Sequence, residues 1–185
     1  MRLVLLSLLF SLLLGGCSLP RIIVLNDPLN AAQHNDLGVA YQQRGDFDLA
    51  LREYQRAAEM KSDWARPLIN RGNVLAAGED WAGAQQSYRQ ALRREPDNAE
   101  AMNNLAWVLL QAGDLTQALT WAGQALLLQP ENPSVLDTLA DIQLAAGDFA
   151  AARQTIAQGL ALDPLPALRQ SLEQKRAHLP ESSQD

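Results

Sequence analysis

The sequence predicts an all-α protein, an array of about four helix-turn-helix units closed by one further helix. Three observations carry this prediction. The 185-residue chain is 48% apolar and only 5% aromatic, with Ala, Leu and Gln dominating, which favours helix over sheet and supplies enough apolar surface for a core. Several residue columns recur every 34 positions. Gly45, Gly113 and Gly147 fall on that grid, with Glu79 at the remaining node. An acid follows each node (Asp46, Asp80, Asp114, Asp148), and an alanine comes four residues later (Ala50, Ala84, Ala118, Ala152). Pro96, Pro130 and Pro164 keep the same spacing with Ser62 ahead of them, and a small residue recurs at Gly38, Gly72, Ala106 and Ala140. Finally, apolar residues within a unit follow the helical period: Met102, Leu105, Ala106 and Leu109 lie at i, i+3, i+4 and i+7.

The first element, residues 1–16, reads as a signal peptide. Arg2 precedes an apolar run from Leu3 to Leu14, followed by two glycines. The run is shorter than the roughly 20 residues a bilayer-spanning helix needs. Leu14-Gly15-Gly16-Cys17 resembles the lipobox of bacterial lipoproteins; an ordinary signal peptide with an incidental cysteine is the alternative. The resemblance implies that the Cys17 sulfur receives a diacylglycerol and that cleavage leaves Cys17 as an acylated, palmitate-bearing N-terminus. Ser18, in place of an aspartate, then points to the periplasmic face of a Gram-negative outer membrane. Residues 17–30 form the acylated start and a linker, whose Arg21-Ile22-Ile23-Val24-Leu25 run is expected to dock partly on the first unit rather than stay exposed.

The units follow at 31–64, 65–98, 99–132 and 133–166. In the third, Gly113 suits a left-handed helix end, and Asp114 caps the next helix with its side-chain oxygen. Leu115, Ala118, Ala122 and Ala125 make the second stripe, where alanines let antiparallel helices approach closely. Pro130 ends the unit, Asn132 caps its successor and Pro133 fits the first turn. Residues 167–178 read as an amphipathic capping helix, which a solenoid needs over its last apolar face. Residues 179–185 are expected to be a flexible tail.

These columns resemble the tetratricopeptide repeat (TPR). Leu37, Gly38, Tyr41, Phe47, Ala50, Tyr54 and Ala57 carry the pattern in the first unit, and Gly72, Leu75, Trp81, Ala84, Tyr88, Ala91 and Pro96 in the second. Leu105, Ala106, Leu109, Leu115, Ala118, Ala122, Ala125 and Pro130 carry it in the third, and Leu139, Ala140, Phe149, Ala152, Ile156, Gly159 and Pro164 in the fourth. Arg71, Gln143 and Ser62 depart from it. The resemblance implies a right-handed solenoid whose first helices line a concave groove for a protein or peptide segment.

On that implied groove stripe lie Asn70, Asn73, Asn103, Asn104, Trp107, Asp137 and Asp141. Amide side chains offer both donor and acceptor to a peptide backbone, although Asn70 and Asn104 could equally hold neighbouring repeats together. Trp107 is a typical binding anchor. Residues 31–98 hold nine bases and ten acids, whereas 99–165 hold Arg153 against seven acids. Asp137 and Asp141 therefore either attract a basic partner segment or form a solvated acidic face. The lysines or arginines that TPR domains use to clamp a C-terminal carboxylate are missing, since Asn35 and Glu100 stand at those positions.

The net charge of −6 speaks against nucleic-acid binding, and one cysteine with two histidines speaks against a zinc site. No catalytic motif is present, and His34 falls on a core stripe. The reading is a non-enzyme with no cofactor beyond the lipid on Cys17: a membrane-anchored scaffold of cell-envelope assembly that grips a segment of an envelope protein. Narrower roles are a pilotin-like factor for a type IV pilus or secretin, or an adaptor for a cell-wall hydrolase or protease. Homo-oligomerisation through the groove or end repeats is a further possibility.

Overall fold

The structure, a computed structural model, describes residues 27–180. The expected signal peptide, Cys17, the docking of Ile22–Leu25 and the end of the tail lie outside the described residues. Nine helices follow in order: α1 (Ala31–Arg44), α2 (Phe47–Met60), α3 (Arg66–Ala77), α4 (Trp81–Arg94), α5 (Ala99–Gln111), α6 (Leu115–Leu128), α7 (Pro133–Ala145), α8 (Phe149–Ala161) and α9 (Pro166–Ala177). No strand occurs among the described residues.

Helix ends are set by the polar columns. Asp80, Asp114 and Asp148 accept hydrogen bonds from the backbone N–H of Gly83, Gln117 and Ala151 at 2.9–3.0 Å, capping α4, α6 and α8. Asn98 and Asn132 cap α5 and α7 in the same way. Asn30 and Gln33 form a reciprocal capping box at α1. The turn inside each unit repeats as well. The backbone N–H of Asp46, Asp80, Asp114 and Asp148 each donates at 2.9 Å to the carbonyl five residues back, the longer bond of a Schellman motif. The residue before the acid must then be left-handed. Gly45, Gly113 and Gly147 have φ of 83°, 83° and 76°, and Glu79 takes φ 60° at the same node despite its Cβ.

Within each unit the two helices pack antiparallel across alanines. Ala50, Ala84, Ala118 and Ala152 are fully buried, as are Ala57, Ala91 and Ala125. The closest approach pairs residues sixteen apart: Gly38 with Tyr54, and Gly72 with Tyr88. A Cβ on Gly72 would lie 2.5 Å from Cε1 of Tyr88, and one on Gly38 2.6 Å from Cε1 of Tyr54. In the third and fourth units the same columns hold Ala106 with Ala122 and Ala140 with Ile156, all fully buried. Tyrosine against glycine in the first two units thus gives way to isoleucine against alanine in the fourth, a pair of similar volume, while in the third both side chains are small.

The first helices of successive units (α1, α3, α5, α7, and then α9) pack against one another, while α2, α4, α6 and α8 pack only on first helices. The array therefore curves, with the first helices on its inner face. Outer helices meet through long side chains. Arg94 donates to the carbonyls of Ala58, Lys61 and Trp64 at the end of α2, and Arg89 donates to Gln117 of α6 at 2.7 Å. Leu172 of α9 is fully buried in a cluster with Ala140, Ala152 and Ile156, so α9 does cover the last apolar face. Leu179 joins that cluster, and the carbonyl of Pro180 accepts from Arg153. Residues 179 and 180, expected to begin a flexible tail, are thus docked there by apolar burial, a correction to the tail's expected start.

At the start of the array His34 is buried, with Nδ1 2.6 Å from Glu53 and Nε2 3.4 Å from Asp27. Arg56 pairs with Glu53 at 2.9 Å. Both ring nitrogens face carboxylates, which ties residue 27 to the first unit.

Two stability predictions follow from these turns and contacts. Glu79→Gly removes a left-handed strain of about 1 kcal/mol and is expected to raise the urea midpoint. Gly72→Ala is expected to cost about 1–3 kcal/mol by overpacking against Tyr88, with much of that loss relieved by shrinking Tyr88 in a double-mutant cycle.

Candidate functional site

The inner face presents a ladder of polar side chains that the sequence places at equivalent positions of α1, α3, α5 and α7. Most of the rungs bond to each other. Asn70 donates its Nδ2 to Oδ1 of Asn35 at 2.9 Å. Asn104 donates to Oδ1 of Asn73 at 3.1 Å, and the Tyr88 hydroxyl donates to that same oxygen at 2.7 Å. Arg66 holds both carboxylate oxygens of Glu100 at 2.7 and 2.8 Å. Asn70 and Asn104 thus staple successive repeats, the second of the two roles open to them.

Tyr88 reaches the groove because Gly72 leaves its ring room to cross α3. Burial, reinforced by the charge of Glu100, pushes its hydroxyl well above the ordinary tyrosine range, so it stays a donor. The sequence reading places Tyr88 in a repeat column and not on the groove stripe. The signal that could have revealed its second role is the Gly72–Tyr88 spacing, which aims the ring at Asn73.

Hydrogen-bonding capacity remains at several rungs, Asn73 and Asn103 among them. The Oδ1 of Asn103 is buried and has no hydrogen-bond partner among the described residues. The amide nitrogen of Asn73 likewise donates to no described residue, both of that side chain's bonds ending on its oxygen. Asn73, Asn103, Asn104, Tyr88, Trp107 and Thr138 line a cavity of about 290 Å³. Trp107 is 37% exposed and rests on Trp81 in an edge-to-face contact, with centroids 5.7 Å apart and planes at 77°. The cavity therefore combines an unmet acceptor, an open amide donor and a braced aromatic wall. Asn35 and Ile69, on the same layer of helices, are buried between helices instead.

Asp137 and Asp141 do not form a free acidic face. Lys175 of α9 reaches Asp137 at 2.6 Å and Asp141 at 2.8 Å, and Ser171 donates to Asp137 at 3.0 Å. The sequence contained the signal for this, since Ser171 and Lys175 stand 34 residues after Asp137 and Asp141. The capping helix thus continues the inner layer as a fifth first-helix. Asp141 sits above the usual carboxylate range because burial disfavours its charge; the hydrogen bond and charge of Lys175 oppose this, and the charge of Asp137 adds to it.

This repeat architecture and groove agree with family models. Tetratricopeptide repeat models match residues 21–67, 69–134 and 110–175. The chain is a member of the tetratricopeptide repeat family. TPR proteins are typically interaction scaffolds rather than enzymes, and this one has the scaffold architecture. Among solved structures it is similar to PilF of Pseudomonas aeruginosa, with 26% identity and a TM-score of 0.69 over 83% of this chain and 76% of that one. It also shares its fold with MamA, at 16% identity and a TM-score of 0.67 over 74% of this chain and 80% of that one. The first TPR of Spaghetti, solved with an HSP90 peptide, matches at 19% identity and a TM-score of 0.61, over 65% of this chain and 96% of that one. No curated protein sequence matches the chain significantly.

A carboxylate raised on folding binds its proton more tightly in the native state. It supports folding below the ordinary aspartate range and withdraws that support as pH rises through its folded value. Asp141→Asn removes this titration, so the variant is expected to gain stability relative to the native chain between about pH 4 and pH 7. Urea midpoints across that interval check the sign; a deficit that widens with pH would contradict it.

Proposed function

We propose that this TPR protein is a lipid-anchored scaffold of the bacterial cell envelope, holding an extended segment of an envelope protein in its concave groove. The observation that carries the binding role is the buried, unpartnered Oδ1 of Asn103 in a cavity walled by Trp107 and opened by the Asn73 amide. A passing carbonyl takes the Asn73 amide, and a backbone N–H satisfies the Asn103 oxygen once that side chain turns outward, whatever the partner's side chains. The anchor reading rests on Leu14-Gly15-Gly16-Cys17: a diacylglycerol on Cys17 with a further acyl chain holds a protein stably where one chain would not. The site of action is then the periplasmic face of the outer membrane.

A narrower reading, a factor in type IV pilus or secretin assembly, is favoured by the likeness to PilF, a pilus-related TPR protein of which this chain covers 76%.

Two measurements test these readings. A photo-crosslinker beside the groove should capture an envelope protein in intact cells. The combined substitution Asn103→Ala and Trp107→Ala should cut that capture by about tenfold or more, the size expected of a central anchor. Unchanged capture would reject the groove. Separately, Cys17→Ala should move the protein from the membrane to the soluble fraction and abolish palmitate labelling; retention on the membrane would reject the anchor.

A further inference from the structure

The far end of the inner face carries a second recess. Its lining comes from the start of α7 (Pro133, Ser134), the turn before α9 (Pro164, Leu165) and α9 itself (Leu168, Ser171), enclosing about 490 Å³ of mostly apolar character. The 34-residue register puts Leu168 opposite Ser134, Ser171 opposite Asp137 and Lys175 opposite Asp141. The recess therefore belongs to the groove, one helical turn below the Asp137–Lys175–Asp141 cluster.

Two features mark it as built to receive something. Leu165 is 80% exposed, although it sits in an ordered turn. That turn is held by Asp163, a non-glycine residue at φ 50° whose carboxylate pairs with Arg169. A left-handed conformation is strained for a residue with a Cβ, and here it positions an apolar side chain in water. One turn above, two carboxylates share the single ammonium of Lys175, which leaves one negative charge uncompensated. Burial already lifts Asp141 out of the ordinary range in spite of Lys175, so its charged form stands to gain from another cation.

The chemistry of an occupant follows: an apolar side chain for the recess, and a cation within a few residues for Asp137 and Asp141. The chain's own last five residues, Glu181-Ser182-Ser183-Gln184-Asp185, are acidic and lack any apolar side chain, so they do not fit. Asp27, the first described residue, lies at the opposite end of the array, beside His34 of α1.

We propose that the recess between α7 and α9 is a side-chain subsite that selects partner segments carrying a leucine-sized residue close to a lysine or arginine. This deepens the groove-binding reading by naming what the groove prefers.

A random peptide library displayed on phage, panned on the full chain in detergent micelles, tests it. Enriched sequences should pair Leu, Ile or Met with Lys or Arg one to three residues away. A synthetic peptide of the enriched type should lose about tenfold or more in affinity when its apolar residue becomes alanine, the worth of one buried aliphatic side chain. Ser134→Trp, which fills the recess from an exposed position, and Leu165→Asp, which charges its rim, should each cause a loss of the same order with the thermal midpoint unchanged. Asp141→Lys should weaken binding at low salt and relax the demand for a cation. Enrichment without this pairing, or binding indifferent to both recess variants, overturns the subsite. If such peptides still depend on Asn103 and Trp107, the groove reading survives without it; if nothing binds, both fall. Self-association that Ser134→Trp abolishes would make a second copy the occupant and also overturn the proposal.

Discussion

The close approach of the two helices in each unit is the constraint on which the rest depends. A residue without Cβ at position 38 or 72 lets a tyrosine sixteen residues later lie across the first helix. That contact fixes the angle of the hairpin, and the angle, repeated, makes the curve. It also delivers a hydroxyl from the core to the inner face: Tyr54 bonds Gln42 and Tyr88 bonds Asn73, both at 2.7 Å. In the third and fourth units alanine replaces glycine, and Ala122 and Ile156 replace the tyrosines. No hydroxyl arrives there, and the cavity at Asn103 lies where that supply stops. Packing volume and groove chemistry are thus settled by the same pair of columns.

The inner face divides its polar groups between those that hold repeats together and those left unpaired among the described residues. Asn35 with Asn70, Asn73 with Asn104, and Arg66 with Glu100 each cross from one repeat to the next. Such bridges satisfy groups that would be costly to bury alone. Among the groups not used in this way are the Asn103 oxygen, the Asn73 amide nitrogen and the Trp107 indole, and further along an apolar recess lies beside two carboxylates that share one lysine.

Much of the architecture was legible because it depends on local chemistry. Asp80, Asp114, Asp148, Asn98 and Asn132 cap helices through bonds spanning two or three residues, and the glycine nodes set left-handed turns within the same short reach. Glu79 shows the limit: the grid marked a turn there, but only the fold reveals that a glutamate bears the glycine conformation. The site was less legible because an asparagine's role depends on what faces it across the array. Asn103 and Asn104 are adjacent, yet one is a staple and the other is open. Asp137 and Asp141 looked free because the lysine that binds them lies in a helix assigned only a covering role. Leu179 was assigned to the tail because a single apolar residue after a helix end carries no periodic signal.

The long arginines that span the outer helices have a mechanical consequence. Arg94 straps α4 to the end of α2, and Arg89 ties α4 to α6. From residue 95 to 165 the sequence holds a single base, Arg153, and no hydrogen bond joins α6 to α8 among the described residues. The convex side is therefore cross-braced by arginine over the first half and not, among the described residues, between α6 and α8. The charge asymmetry along the sequence is thus also an asymmetry in how the outer helices are tied together.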